Sequence, residues 1–326
     1  MNIAVLDDFL GVVPSLAAFA RIADRSVTVF RDPLTDVDAL ADRLAPFDAL
    51  VLSRERTPIT ARLLDRLPNL RIVSQTGVIP HIDVAACTAR GVVVCTSRTG
   101  PSYTTAELTW ALILASMRFI PQEAAALREG RWQTRFGRGL RGLTLGVFGY
   151  GWIGALVASY GRAFDMRVLV WGRAGSIERA HDDGYRTAES AQAFFAEADI
   201  VTVHLRMLPE TRGIVSAADL ARMKPDSLFV NTSRAALVEN GALLAALQAG
   251  RPGYAALDVF DEEPVTGAHD PLVTMDNVIC SPHVGYVTRD RFETMFESAF
   301  DQILAFERGA PINVVNPEVL RTGQRD

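Results

Sequence analysis

The chain has 326 residues, 49% hydrophobic and 22% charged, which is apolar material for two cores, so two domains are expected. Its 33 basic and 38 acidic residues leave a net charge of −5 with no run of like charge. That excludes the basic footprint required by nucleic acid or an anionic membrane, and favours a small-molecule ligand.

The N-terminus meets Asp7 and Asp8 at once and lacks a basic stretch followed by an apolar core. It does not read as a signal peptide, and a cytoplasmic location is expected. Short β-branched runs follow at residues 3–6, 27–30, 50–53, 72–75 and 92–95, alternating with helix-like segments. This βα alternation predicts a parallel sheet wrapped by helices. A single helix is expected over residues 103–126, apolar on nearly every side through 108–117 and therefore buried all round. That apolar stretch is too short to span a bilayer, and it predicts an oligomer-contact or interdomain helix, with a homodimer built on the second domain.

A second alternating series has strands at residues 143–149, 167–172, 199–205, 227–233, 254–260 and 277–282, six in all and enough for a complete doubly wound unit. A last helix over 289–308 and a turn-rich tail are expected to return to the first domain. The expected division is therefore 1–98 with 287–326, and 99–286. The three cysteines, Cys87, Cys95 and Cys280, are odd in number and scattered, which suits reduced thiols better than a disulfide framework or a zinc cage.

Gly149, Tyr150, Gly151, Trp152, Ile153 and Gly154 form GxGxxG where a predicted strand meets a predicted helix. In that context the motif points to dinucleotide binding. The first glycine permits the tight turn, the second lets backbone approach a pyrophosphate, and the third lets helix and strand pack closely. Some twenty residues on, an NAD-binding chain usually has an acidic residue, but here Trp171, Gly172, Arg173 and Ala174 follow. The missing carboxylate, with Arg173 and Ser176 nearby, tilts the expected cofactor from NAD toward NADP. The alternative is that Arg173 stacks on the adenine or lies in solvent. His204, Thr211, Thr232 and Thr105 are further cofactor-binding candidates.

Arg234, Glu263 and His283 each follow a different predicted strand, on the side where an open α/β sheet keeps its ligand crevice. A cation, a carboxylate and an imidazole so placed could anchor and polarise a 2-oxo acid and deliver a proton. The other histidines, His81, His181, His204 and His269, have no partner at metal-ligand spacing, and no metal is expected. Cys280 near His283 reads as a packed thiol.

These segments resemble the D-isomer-specific 2-hydroxyacid dehydrogenase family over nearly the whole chain. GYGWIG, LPETRGIV, MKPDSLFVNTSRA, GALLAALQAG, ALDVFDEEP and CSPHVGYVT occur in that family's order, with SQTGV and YTTAELTWALIL upstream. The resemblance implies a flavodoxin-like substrate domain and an NAD(P)-binding Rossmann domain that close on each other. It implies that Arg234 binds the substrate carboxylate and carbonyl, His283 is the general acid or base, and Glu263 pairs with His283. It also implies that Asp258 meets the nicotinamide carboxamide, for which the alternative is a loop cap. Thr76, Gly77 and Val78 would offer backbone N–H groups to the substrate carboxylate, with Arg54 assisting or simply ion-paired.

Within the family, formate dehydrogenases usually carry glutamine where this chain has Glu263, so formate oxidation is not expected. The end at Asp326 places the longer, regulatory-domain phosphoglycerate dehydrogenases behind shorter members. Glyoxylate, hydroxypyruvate and bulkier 2-oxo acids stay open, as does a different kind of protein, a dinucleotide-sensing corepressor-like interaction protein.

Overall fold

The computed structural model of the chain describes residues 1–97, 103–265 and 269–322. It divides into two compact units, Met1–Gly100 with Thr288–Asp326, and Pro101–Val287.

The first unit opens with β1 (Asn2–Val5), β2 (Ser26–Val29), α1 (Val37–Leu44), β3 (Ala49–Leu52), α2 (Ala61–Leu64), β4 (Ile72–Gln75), α3 (Val84–Ala89) and β5 (Val93–Thr96). Asp36, Thr60 and Asp83 cap α1, α2 and α3 by accepting from the third N–H onward, which satisfies donors that a helix start leaves unpaired. The sheet order is β2-β1-β3-β4-β5 and every pair is parallel, the flavodoxin-like arrangement. Strands β3 and β4 are buried at all positions; β3 is accordingly apolar throughout, whereas β4 ends in the buried polar pair Ser74 and Gln75.

The second unit contains α4 (Tyr103–Met117), α5 (Ile120–Arg128), β6 (Thr144–Phe148), α6 (Trp152–Ala163), β7 (Arg167–Trp171), α7 (Ala174–Asp182), β8 (Arg186–Thr187), α8 (Ala191–Glu197) and β9 (Ile200–Val203). It continues through α9 (Ala217–Leu220), β10 (Leu228–Asn231), α10 (Ala242–Gln248), β11 (Tyr254–Leu257), α11 (Pro271–Thr274) and β12 (Val278–Cys280). Its parallel sheet has the order β12-β11-β10-β9-β6-β7-β8, with the reversal of strand order beside β6. Among the described residues seven strands are present rather than the six expected, the extra one being β8, two residues long and paired with β7.

The helix expected over 103–126 is instead two. Phe119 turns left-handed (φ +52°) and Pro121 opens α5, where its missing N–H costs nothing. Nor is α4 buried all round within this unit. Ala106, Thr109, Trp110, Ile113 and Met117 face the core at helical spacing, whereas Ala111 and Leu114 are exposed. Trp110 stacks on Phe164 and donates to the Val157 carbonyl at 3.2 Å, docking α4 on α6.

The chain then rejoins the first unit through α12 (Arg289–Glu307) and α13 (Val319–Thr322). Phe292, Phe296, Phe300 and Ile303 form the buried face of α12. Its fully buried Gln302 accepts from Ser74 Oγ at 2.7 Å and donates to Ser97 Oγ at 3.2 Å, fixing the helix to the ends of β4 and β5. Asn316, also fully buried, accepts from the Val94 N–H and donates to the Val92 carbonyl, so the tail runs along β5. No helix among the described residues is long and apolar enough to cross a membrane.

Candidate active site

The glycines of the β6–α6 turn differ in what surrounds them. Gly149 has φ +98°, and a Cβ there would lie 2.6 Å from the His204 carbonyl oxygen, so the turn admits no side chain. A Cβ on Gly154 would lie 2.0 Å from the Gly149 carbonyl oxygen, so α6 can approach β6 only without one. A Cβ on Gly151 would meet nothing within 4 Å. Open space at Gly151, beside the first N–H groups of the twelve-residue α6, is a cradle that fits a pyrophosphate.

The neighbouring candidates divide by where their side chains go. Tyr150 is buried and donates to Asp183 Oδ2 at 2.6 Å, leaving its backbone as the part that can serve a ligand at the loop. Burial and the Asp183 carboxylate push its phenol well above the ordinary range. Ile153 packs on the core, while Trp152 is exposed. Arg173 stands at the start of α7, exposed, 3.6 Å from Glu210, and Ser176 lies one turn on. Thr211 is spent on its own loop, accepting from the Leu208 N–H and donating to the Arg206 carbonyl, both at 2.8 Å. Thr232 and Thr109 share a hydrogen bond of 2.8 Å between their hydroxyls, and Thr105 donates to the Gly285 carbonyl at 3.0 Å. His204 meets Thr202 Oγ1 through Nε2 at 2.9 Å, and its buried Nδ1 has no partner among the described residues. Burial pushes this imidazole down to about 3, so the ring is neutral.

Arg234, Glu263 and His283 converge beyond the ends of β10, β11 and β12. His283 Nδ1 lies 2.6 Å from Glu263 Oε2, and Glu263 Oε1 accepts from the Phe260 N–H at 3.0 Å. Burial works against the Glu263 charge, but the hydrogen bond and charge of His283, the Phe260 N–H and the charge of Arg234 outweigh it and hold the carboxyl below its usual value. With Nδ1 on the carboxylate, Nε2 is the nitrogen left for proton exchange with a ligand. Arg234 donates to the Ser233 carbonyl at 2.7 Å, and the Asn231 amide pins the Arg234 carbonyl at 2.9 Å. Asp258 is fully buried and accepts from Ser281 Oγ (2.5 Å), the Val284 N–H (2.8 Å) and the Gly285 N–H (2.9 Å). The structure thus gives Asp258 the loop-capping arrangement.

In the first unit, Arg54 adopts φ +62° after β3, and its N–H donates to Thr76 Oγ1 at 3.3 Å. Gly77 and Val78 follow β4, with Arg54 Nη1 3.7 Å from where a Gly77 Cβ would stand. Two side chains here escaped the sequence analysis, Gln75 and Arg291. Gln75 follows Ser74 at the polar end of a buried strand, which was the one available signal, and Arg291 had none. All three cysteines are free thiols pushed upward by burial, Cys280 to about 11. No three His, Cys, Asp or Glu side chains among the described residues are grouped to hold a metal ion.

Comparison with known proteins shows the family of the chain. A family model described as D-isomer specific 2-hydroxyacid dehydrogenase, NAD binding domain, matches residues 110–285. The chain is 38% identical over 279 residues to a glyoxylate reductase of Aeropyrum pernix, covering 82% of each. It is 34% identical over 283 residues to a D-3-phosphoglycerate dehydrogenase of Archaeoglobus fulgidus, covering 86% of this chain and 53% of that one, so it spans about half the length of that relative. A solved phosphoglycerate oxidoreductase of Vibrio cholerae superposes with a TM-score of 0.92 at 47% identity, covering 95% of this chain and 100% of that one.

The glycine turn generates a paired prediction. Gly151→Ala is expected to keep the wild-type melting temperature while weakening NADH binding at least tenfold by fluorescence titration. Gly154→Ala is expected to lower the melting temperature itself, since its methyl group collides with backbone. Equal effects of the two variants on both quantities would contradict the division of roles.

Proposed function

Because the chain belongs to the D-isomer-specific 2-hydroxyacid dehydrogenase family, we propose that it interconverts a small 2-oxo acid and its D-2-hydroxy acid, with His283 as general acid and base. The observation that carries this reading is the 2.6 Å contact of His283 Nδ1 with a carboxylate that Arg234 and a backbone N–H keep ionised. A nicotinamide dinucleotide, when bound, supplies or accepts the hydride at the carbon that bears the oxygen. The turn would hold its pyrophosphate at Gly151, with Gly149 and Gly154 allowing the turn and the close approach of α6, and the neutral His204 and Thr232 would lie nearby. Arg234 would bind carboxylate and carbonyl oxygen, drawing electron density off the carbon. His283 Nε2 would give its proton to that oxygen in reduction and recover it in oxidation, with Glu263 holding tautomer and orientation throughout. Thr76, Gly77 and Val78 would receive the substrate carboxylate.

The test is a panel of glyoxylate, hydroxypyruvate, pyruvate, phenylpyruvate and 2-oxoisocaproate followed at 340 nm. Activity on at least one acid is expected. His283→Ala is expected to lower kcat by about 10²–10⁴-fold, the usual reach of general acid catalysis, while leaving NADH affinity intact. Silence across the panel with NADH bound, or an unimpaired His283→Ala, would end this reading.

For the cofactor we favour NADPH, on the strength of Arg173 and Ser176 after β7. The exposed Glu210 carboxylate competes for Arg173 only weakly, as ion pairs in solvent are worth about 0–1 kcal/mol. Arg173→Ala should raise KM for NADPH about tenfold, equivalent to about 1.4 kcal/mol, and leave that for NADH nearly unchanged. Equal effects on both cofactors would return Arg173 to the solvent.

We also propose a homodimer through the second unit. Leu114, Ile120, Leu127, Trp132 and Phe136 are exposed along α4, α5 and the segment after them, more apolar surface than a monomer usually leaves in one stretch of chain. Sedimentation at micromolar concentration should give twice 35.5 kDa, and Ile120→Glu with Leu127→Glu should give the monomer. A monomeric wild type would exclude the dimer.

A further inference from the structure

The turn after β4 is held by side chains that themselves present nothing to a ligand. Gln75, the last residue of β4, is fully buried, and its amide nitrogen donates to two carbonyls at once, that of Arg54 at 2.8 Å and that of Val78 at 2.9 Å. Thr96, the last residue of β5, donates through its hydroxyl to the Gly77 carbonyl. In a trans peptide the N–H points opposite to the C=O. Holding the Gly77 and Val78 carbonyls inward therefore turns the Val78 and Ile79 N–H groups outward. No hydrogen bond among the described residues engages the N–H groups of Gly77, Val78 or Ile79, and Val78 is 55% exposed. Successive outward N–H groups are a nest for an anion.

The Gln75 amide cannot turn over, because its oxygen would then face two carbonyl oxygens. That oxygen is buried without a protein partner among the described residues.

We propose that Gln75, with Thr96, is a positioning residue for the substrate carboxylate: its amide sets the peptide planes of the 76–79 turn so that their N–H groups are already aimed when the acid arrives. This rests on the 2-oxo acid reading above and adds the group that makes the turn competent. Gln75 touches no substrate in this account. Its contribution is preorganisation, which appears in binding of the carboxylate and not in the proton or hydride chemistry.

Gln75→Leu is the discriminating variant, because leucine fills nearly the same volume while removing both the clamp and the unpaired oxygen. It is expected to fold cooperatively with a melting temperature no higher than that of the wild type, because the Arg54 and Val78 carbonyls lose their donor, and its NADH affinity is expected to be unchanged. Its KM for the preferred 2-oxo acid should rise tenfold or more, with kcat kept within about threefold. Oxamate, an unreactive carboxylate next to a carbonyl, should bind the NADH-loaded variant at least tenfold more weakly by calorimetry. Thr96→Val, which loses one hydroxyl, supplies the same comparison should Gln75→Leu not fold, with a several-fold loss expected. Oxamate affinity within twofold of wild type in a folded variant overturns the clamp and leaves the reductase reading standing. A wild type that neither binds oxamate nor turns over any acid of the panel removes both.

Discussion

The candidate catalytic site of the second unit depends on one buried carboxylate. Asp258 has no exposed surface, and burying a charge is costly unless it is hydrogen-bonded. Burial accordingly pushes its carboxyl up, against Ser281, the Val284 and Gly285 N–H groups and the charge of His283. Those three donors all come from residues 281–285, so satisfying Asp258 draws that loop across the end of β11. The same pull turns the Gly285 carbonyl toward the hydroxyls of Thr104 and Thr105 on α4. A Cβ on Gly285 would stand 3.2 Å from Asp258 Oδ2, tighter than side chains normally tolerate. His283 is left at φ +51°, a conformation that costs a non-glycine residue about 1–3 kcal/mol and persists only when its surroundings impose it. In this fold Asp258 imposes it, and the imidazole meets Glu263 as a consequence.

How much of this could be read in the sequence follows from what each feature depends on. Most strands were legible because parallel strands covered on both faces are largely apolar, and residues 72–75 were placed to the residue although they end in Ser74 and Gln75. Strand β8 was not, since Arg186 and Thr187 are partly exposed edge residues whose only strand partner is β7. The break between α4 and α5 had its signal in Pro121, outweighed in the sequence by the apolar run before it. Within the unit α4 is not covered on every side, Ala111 and Leu114 being exposed. Composition reports how apolar a helix is, and only the fold reports which face another element of the same chain covers.

Within the site, the glycines were legible because each answers a local steric demand at a strand-to-helix turn. Arg234, Glu263 and His283 were legible because residues just past strand ends share one edge of a parallel sheet. Side-chain direction inside a loop has no such local cause. Thr211 hydrogen-bonds within its own loop and Tyr150 reaches Asp183, thirty-three residues away. Gln75 was equally illegible, because its partners lie in two loops that meet only once β3 and β4 are paired in register.

The two units solve different electrostatic problems with different materials. On the proposed reading, a proton is exchanged beside His283, which Glu263 Oε2 holds by Nδ1. Around residues 76–79 the requirement is a fixed positive potential, and charge on the supporting groups would be harmful. Burial and the nearby Arg54 charge already push the Arg291 guanidinium below its ordinary value, so like charges are crowded in this region. A lysine in place of Gln75 would add to that repulsion. A glutamate would offset Arg54 and weaken the pull on an incoming anion, besides having no N–H for either carbonyl. A neutral amide with two donors orients the backbone without altering the field, which accounts for a buried glutamine at the end of β4.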